Sequence, residues 1–282
     1  MECISVFDML KIGIGPSSSH TLGPWRAAER WITELKTAEI FDKVQYIKVD
    51  LYGSLSLTGK GHATDLAIML GLSGADPELI PIEDLKTTID AIKAKNSILF
   101  NNEKYLEFKP ESDIVFNKKF LPFHANGLVF TATINGKNQK STFYSIGGGF
   151  VVKEERKNSK RNKEIFKTFP YPIKLGTELL TYCKDLNMPV SEVVLENEKS
   201  LRTSESIDFE LQRIWNTMLE CMYIGCHTEG SLPGGLNVRR RAHDMHKNLI
   251  SDFPYDNPQE WLETIRKTEV KFRQILKWVS CF

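Results

Sequence analysis

The sequence lacks the features that mark exported, membrane-spanning and strongly charged proteins. No positively charged stretch precedes an apolar run at the N-terminus, and no window reaches the roughly 18 consecutive apolar residues of a membrane span. Lys and Arg number 37 against 36 Asp and Glu, so the total charge gives no general attraction to nucleic acid or to a membrane surface. We therefore expect a cytoplasmic protein that has neither nucleic-acid nor membrane partners.

Cysteine is also scarce, and the cysteines form no familiar motif. They are Cys3, Cys183, Cys221, Cys226 and Cys281. An odd number in a chain of 282 residues, with no CxxC pair, argues against a disulfide framework and fits a reducing compartment. We do not expect a complete iron–sulfur or zinc site from these residues alone, so the sequence predicts no metal ligand.

The first part of the chain, residues 1–152, predicts alternating helices and strands. Leu22–Leu35 has apolar residues at helical spacing, and Val44–Gly53 alternates apolar and polar residues as a strand does. Gly127–Ser145 predicts a hairpin, because Asn135-Gly136 is a strong signal for a two-residue turn.

The second part predicts helices, which makes the expected fold class α+β. Residues 153–170 are rich in Lys, Arg, Glu and Asn, as a solvated linker is. In residues 171–282, Glu205–Tyr223 carries a helical apolar stripe, and Asn257-Pro258 is typical of a helix N-terminus.

The segment Gly13–Thr21 is the first candidate for chemistry. After its glycines and Pro16 come five polar residues that lead into the predicted helix: Ser17, Ser18, Ser19, His20 and Thr21. Hydroxyls and free N–H groups at a helix N-terminus suit a carboxylate or a phosphate, whereas helix capping needs only one hydroxyl. A Walker A loop is excluded because His20 stands in place of its Lys, and a nucleophile elbow lacks its second glycine.

The segment Tyr52–Thr64 is the second candidate. It is rich in glycine, follows the predicted strand and contains Lys60, His62 and Thr64. The carboxyl end of a strand is a usual place for a functional site, so we expect His62 and Thr64 to take part in one.

The segment His227–Leu236 is the third candidate, and Arg239, Arg240 and Arg241 follow it. Pro233-Gly234-Gly235 predicts a turn after the long helix. The arginines are suited either to holding a carboxylate or to a solvated first helical turn, and the sequence leaves both alternatives open.

Together these segments resemble the motifs of the iron–sulfur L-serine dehydratases, also called L-serine ammonia-lyases. FDMLKIGIGPSSSHTLGP and YGSLSLTGKGHATD resemble the two signature loops of that family. The resemblance extends from residue 4 to about residue 250 through further segments, which are LPFHANG, YSIGGGF, PYPIKLGTELLTYC, Glu196–Glu198 and HTEGSLPGGL.

The resemblance implies a lyase of amino-acid catabolism and gluconeogenesis that converts L-serine to pyruvate and ammonia. It implies a mixed α/β domain of the substrate-binding type, followed by an all-α domain with a [4Fe-4S] cluster that acts as a Lewis acid on the serine hydroxyl. On the matching positions, His62 and Thr64 are the catalytic candidates, His62 as base or proton shuttle. The residues implied to bind the substrate are Ser17, Ser18, Ser19, His20 and Thr21.

The last part of the sequence departs from the family pattern. The family has a glycine-rich segment with a cysteine and further cluster cysteines, and Glu263–Phe282 contains no match to them. The second part is therefore expected to be an incomplete all-α domain. We expect a homodimer or a chain that works with a downstream cluster-bearing polypeptide. The alternatives are an inactive, truncated homologue that retains serine binding, and a decayed product that folds only in its first part.

Overall fold

The computed structural model of the chain describes residues 4–15, 17–154, 168–232, 238–250 and 255–267. These residues form two compact units. The first unit comprises residues 12–154 and contains the strands, whereas the second comprises the described residues before 12 and after 167 and contains helices. This arrangement confirms the predicted α+β class. Most of the predicted linker lies outside the described residues, and the domain limits stay a prediction.

The elements are numbered in chain order. The helices are α1 (Val6–Met9), α2 (Gly23–Thr37), α3 (Ser54–Leu57), α4 (Thr64–Leu72), α5 (Ile82–Lys95), α6 (Pro110–Asp113), α7 (Gly176–Asp185), α8 (Val190–Lys199), α9 (Ser204–His227), α10 (Arg241–Ile250) and α11 (Pro258–Lys267). The strands are β1 (Val44–Gly53), β2 (Ser97–Phe100), β3 (Lys104–Glu107), β4 (Ile114–Phe116), β5 (Asn126–Ile134), β6 (Lys137–Gly147) and β7 (Phe150–Lys153). A π-helical turn, Ser18–Leu22, leads into α2, and 3-10 turns precede β1 (Phe41–Lys43) and α4 (Gly59–His62).

The five-stranded sheet of the first unit has the strand order β4-β1-β5-β6-β7. Strand β1 is parallel to β4 and antiparallel to β5, and the remaining neighbours are antiparallel. The β5–β6 hairpin closes through Asn135 and Gly136, both with positive φ, which matches the turn that this dipeptide favours. The predicted strand and hairpin are therefore confirmed, while β2 and β3 form a separate two-stranded sheet.

The core of the first unit joins the sheet to α2 and α4. Trp25 and Trp31 of α2 are almost completely buried, and the Trp31 ring stacks on Phe130 of β5 with 4.8 Å between ring centroids. The indole N–H of Trp25 donates to the carbonyl oxygen of Ala75 at 2.8 Å, so this buried ring also has its polar group satisfied. The packing fixes the start of α2, and thus the preceding loop, relative to the end of β1.

The helical unit confirms the predicted helices that fall on described residues. Helix α9 extends a few residues beyond the predicted Glu205–Tyr223, and the Thr203 hydroxyl caps it by accepting from the Ser206 N–H. The Asn257 side chain caps α11 by accepting from two backbone N–H groups. An isolated bridge between Ser231 and Arg239 is an unexpected extended contact. Among the described residues, no helix is both long enough and apolar enough to cross a membrane.

Helix α8 anchors two distant segments of this unit through Asn197 and Glu198. The buried Glu198 carboxylate accepts from the Ser5 hydroxyl and the Val6 N–H, each at 2.7 Å, which attaches α1. The Asn197 side chain exchanges two hydrogen bonds with the backbone of Tyr171. Both polar side chains are buried and hydrogen-bonded. The segment Glu196–Glu198, which the sequence singled out, therefore holds parts of the helical unit together in the structure.

A buried histidine of α10, His246, forms a hydrogen bond with α11. The Trp261 indole N–H donates to Nε2 of His246 at 2.8 Å, and the Tyr255 hydroxyl lies 3.2 Å from the same nitrogen. Burial, together with nearby His227 and His243, lowers the pKa of His246 to about 4. The His246 ring is therefore neutral in the folded unit at neutral pH.

Acidification is expected to destabilise the helical unit through His246. The unfolded chain takes up a proton near the ordinary pKa of about 6.5, whereas the folded chain does so only near pH 4. The stabilisation is thus complete above pH 6.5 and is lost as the pH falls towards 4. By pH 4.5 we expect this effect to have lowered the free energy of unfolding by about 2 kcal/mol. Urea unfolding followed by circular dichroism measures the change.

His246→Gln is the matched control, because a glutamine carbonyl oxygen can still accept from Trp261 but does not titrate. The free energy of unfolding of this variant is expected to fall less between pH 7.5 and 4.5 than that of the parent. Parallel curves for the two proteins would show that His246 does not carry the effect.

Candidate active site

The two loops singled out in the sequence meet in the first unit, and two threonines hold them together. The Thr21 hydroxyl donates to the carbonyl oxygen of His62 at 2.9 Å, and the Thr64 hydroxyl donates to the carbonyl oxygen of His20 at 2.6 Å. Both threonine side chains are buried. Between His62 and Thr64, Ala63 adopts left-handed backbone angles, which turn the chain from a 3-10 turn into α4. Each loop therefore fixes the backbone of the other.

The sheet supports the first loop from β6. The buried Ser145 hydroxyl donates to the carbonyl oxygen of Ser19 at 2.8 Å, and the Asn126 amide donates to the carbonyl oxygen of Ser145 at 3.1 Å. Gly23 makes this approach possible, because a Cβ there would lie 1.9 Å from the Ser145 hydroxyl oxygen. The loop thus rests on a rigid strand.

Hydroxyl groups flank both ring nitrogens of His20. The Ser19 hydroxyl oxygen lies 2.9 Å from Nδ1, and the Ser54 hydroxyl oxygen lies 3.0 Å from Nε2. Ser17 caps the turn, since its hydroxyl accepts from the His20 N–H at 3.2 Å. Burial and the neighbouring His62 lower the pKa of His20, which favours a neutral ring.

His62 has a different hydrogen-bonding pattern. Its Nδ1 lies 3.0 Å from the carbonyl oxygen of Thr58, and a carbonyl can only accept, so Nδ1 carries the proton. In the neutral ring Nε2 then has a free lone pair, and no partner for it is found among the described residues. The rings of His20 and His62 lie 4.8 Å apart. The arrangement places a ring nitrogen that has no partner in the described part of the chain beside a cluster of hydroxyls.

The structure brings together most of the residues that the sequence singled out. Ser17, Ser19, His20, His62 and the two threonines converge, while the Ser18 side chain is exposed and has no hydrogen bond to the rest of the described chain. Their catalytic and substrate-binding roles stay predictions. Sequence reasoning missed Ser54 and Ser145 as members of the site. The position of Ser54 directly after β1 was the available signal for it, whereas nothing local indicated Ser145.

The third candidate segment, His227–Leu236 with the arginines that follow it, is only partly described by the structure. Arg239 is largely exposed and forms an ion pair with Asp244 at 2.5 Å, which fits a solvated first helical turn. Arg241 begins α10, and Arg240 donates its backbone N–H to the carbonyl oxygen of Gly230. The predicted turn at Pro233-Gly234-Gly235 lies outside the described residues.

The described residues do not fit an iron–sulfur cluster. Such a cluster is held by several cysteine thiolates, and here Cys183 is half-buried, Cys221 is exposed and Cys226 is buried. Burial raises the pKa of the Cys226 thiol to about 11, which opposes the thiolate form that metals bind. Within the described ranges, no three His, Cys, Asp or Glu side chains are grouped as metal ligands would be.

Comparisons with known proteins agree with the two-loop pattern. The family model described as serine dehydratase beta chain matches residues 5–156. An L-serine dehydratase of Haemophilus influenzae is 41% identical over 259 residues, which cover 90% of this chain and 56% of that protein. L-serine dehydratase 1 of Escherichia coli is 40% identical over 257 residues, with the same two coverages. An L-serine dehydratase of Streptomyces coelicolor is 39% identical over 263 residues, or 92% of this chain and 58% of the relative. The chain thus spans a little over half the length of these relatives.

Proposed function

Because the chain belongs to the L-serine dehydratase family, we propose that it binds L-serine and takes part in its deamination to pyruvate and ammonia. The observation that carries the proposal is the pairing of two histidines by the reciprocal threonine hydrogen bonds. The His20 ring has a serine hydroxyl beside each nitrogen, and the neutral His62 ring has a nitrogen lone pair without a partner among the described residues. Removal of a proton next to a carboxylate needs both a positioned base and groups that stabilise negative charge.

The first loop is suited to the substrate carboxylate. The exposed Ser18 hydroxyl lies in the turn that opens into α2, where backbone N–H groups and the helix dipole favour an anion. Ser17 and Ser19 contribute hydroxyls beside it. We assign Thr21 and Thr64 the task of positioning, because their hydroxyl protons are directed to backbone carbonyls.

His62 is suited to act as the base. Its proton lies on Nδ1, directed to Thr58, so Nε2 can accept the α-proton of serine. A neutral His20 alongside assists this step, since a second positive charge 4.8 Å away would disfavour proton uptake by His62. The serine hydroxyl then leaves as water with the proton that His62 took up, which gives aminoacrylate, and addition of water to its imine tautomer yields pyruvate and ammonia.

The remaining components are proposed from the family. The family's [4Fe-4S] cluster would have its ligands outside the described residues, on this polypeptide or on a separate one. The reaction would belong to amino-acid catabolism and gluconeogenesis in the cytoplasm, and a homodimer is the expected alternative to a cluster-bearing partner. The second candidate function is serine binding without catalysis, which the two-loop arrangement of the first unit supports.

Titration calorimetry on the intact chain tests the binding. L-serine is expected to give saturable heat, and Ser18→Ala is expected to weaken binding about tenfold through loss of a hydrogen bond to a charged group. Ser112→Ala, at an exposed serine on α6 in the same unit, is the matched control and should bind L-serine as the parent does.

Pyruvate formation separates the two candidate functions. The chain is mixed anaerobically with a polypeptide that corresponds to the uncovered part of the relatives, iron and sulfide are added, and pyruvate is followed after addition of L-serine. Pyruvate together with binding heat supports the dehydratase, and heat without pyruvate supports the binding module. Absence of both would overturn the proposed function.

A further inference from the structure

We propose that Ser54 is a positioning residue that, together with Ser19, fixes the orientation of the His20 ring. The two hydroxyl oxygens lie 3.0 Å and 2.9 Å from opposite ring nitrogens. A half-turn of the imidazole about its Cβ–Cγ bond would replace both nitrogens by carbons and break both contacts. Both serines therefore favour the same ring orientation, and together they do so more strongly than either alone.

Ser54 is itself held rigidly where β1 ends. Its backbone N–H donates to the carbonyl oxygen of Ala125 at 2.9 Å. Its own carbonyl oxygen accepts from both the N–H and the hydroxyl of Thr58, each at 3.0 Å. His20 is equally well fixed, because its N–H is bonded to Ser17 and its carbonyl oxygen to Thr64. The contact between Ser54 and His20 thus joins two constrained backbones.

Hydroxyls suit a ring that stays neutral. A neutral imidazole presents one donor and one acceptor, and a hydroxyl can serve either, so Ser19 and Ser54 satisfy both tautomers without a charge. A carboxylate in either place would instead favour the imidazolium. Within the described part of the chain, the titratable group found against this ring is His62, whose protonation would further disfavour a cation on His20.

The kinetic consequence rests on the proposed function. A misoriented His20 no longer presents the same edge to a substrate beside His62, so chemistry should suffer more than binding. Ser54→Ala is expected to lower kcat about tenfold while KM for L-serine changes less than about twofold. Ser54→Thr retains the hydroxyl and is expected to restore most of kcat.

Nitrogen NMR of the intact chain tests the positioning role independently of serine chemistry. The chain has six histidines, so ¹⁵N-histidine labelling gives few signals, and His20→Gln identifies the His20 pair by its disappearance. In Ser54→Ala, the His20 Nε2 shift is expected to move and the midpoint of its titration to fall, because the cation loses an acceptor. Ser54→Thr is expected to stay close to the parent.

The matched control is Ser56→Ala, since Ser56 lies on the same short helix and makes no side-chain hydrogen bond within the described chain. Its His20 signals should be unchanged. The proposal is overturned if Ser54→Ala leaves both His20 nitrogens unshifted, or if Ser54→Thr perturbs them as strongly as alanine does. A failure to bind serine or form pyruvate would contradict the proposed function but leave the NMR result to decide the role of Ser54.

Discussion

Replacement of Gly53 by alanine is expected to lower the free energy of unfolding by at least about 3 kcal/mol. Gly53 ends β1 with φ 56° and ψ −129°, a backbone conformation that is practically restricted to glycine. A Cβ at this position would also lie 2.2 Å from the carbonyl oxygen of Ala125. Because that oxygen belongs to the backbone and accepts from the Ser54 N–H, it cannot move aside without breaking the strand connection.

Gly136→Ala provides the matched control. Gly136 also has a positive φ of 72°, but a Cβ there would meet no atom within 4 Å. This variant is expected to lose only about 1 kcal/mol, the contribution of the backbone conformation alone. Urea unfolding followed by circular dichroism measures both variants. Equal losses of unfolding free energy in the two variants would mean that the close approach to Ala125 is unimportant. Because Ser54 directly follows Gly53, the His20 NMR signals of any folded Gly53→Ala protein should resemble those of Ser54→Ala.

The local elements could be predicted because their signals are local. The alternation in β1 follows from a strand with one buried face, and the Asn135-Gly136 turn follows from backbone preferences of two adjacent residues. The stripe in α9 gives a helix for the same reason. The ends of α9 are less well defined by apolar spacing, because the Thr203 cap and the following loop decide them.

The site was predictable in its composition but not in its contacts. Ser54 and Ser56 look alike in the sequence, and only the turn after β1 directs the first towards His20. Ser145 supports Ser19 across 126 positions of sequence, a relation that no spacing rule reveals. Thr64, by contrast, was indicated by the sequence, because it lies close to His62. In the structure its buried hydroxyl donates to the carbonyl oxygen of His20.

His62→Asn is expected to give the largest loss of activity, about 10³-fold in kcat for pyruvate formation by the reconstituted enzyme. The asparagine amide nitrogen can occupy the place of Nδ1 and retain the hydrogen bond to Thr58. The variant therefore keeps the local backbone but lacks the Nε2 lone pair that we assign to removal of the α-proton. Binding of L-serine, measured by calorimetry, should change less than about threefold, because the carboxylate is assigned to the first loop.

His62→Ala supplies a second, independent comparison, because added imidazole can enter the space that the ring leaves. Imidazole should raise the activity of the alanine variant and leave the asparagine variant unchanged, since asparagine fills part of that space. An increase of activity with imidazole concentration would show that the variant lacks a base, because activity lost through a packing defect is not restored by a free base.

Activity of His62→Asn within about tenfold of the parent would exclude His62 as the base. In that case His20 would be the remaining histidine of the pair, and it would have to give up one of its two serine contacts to accept a proton.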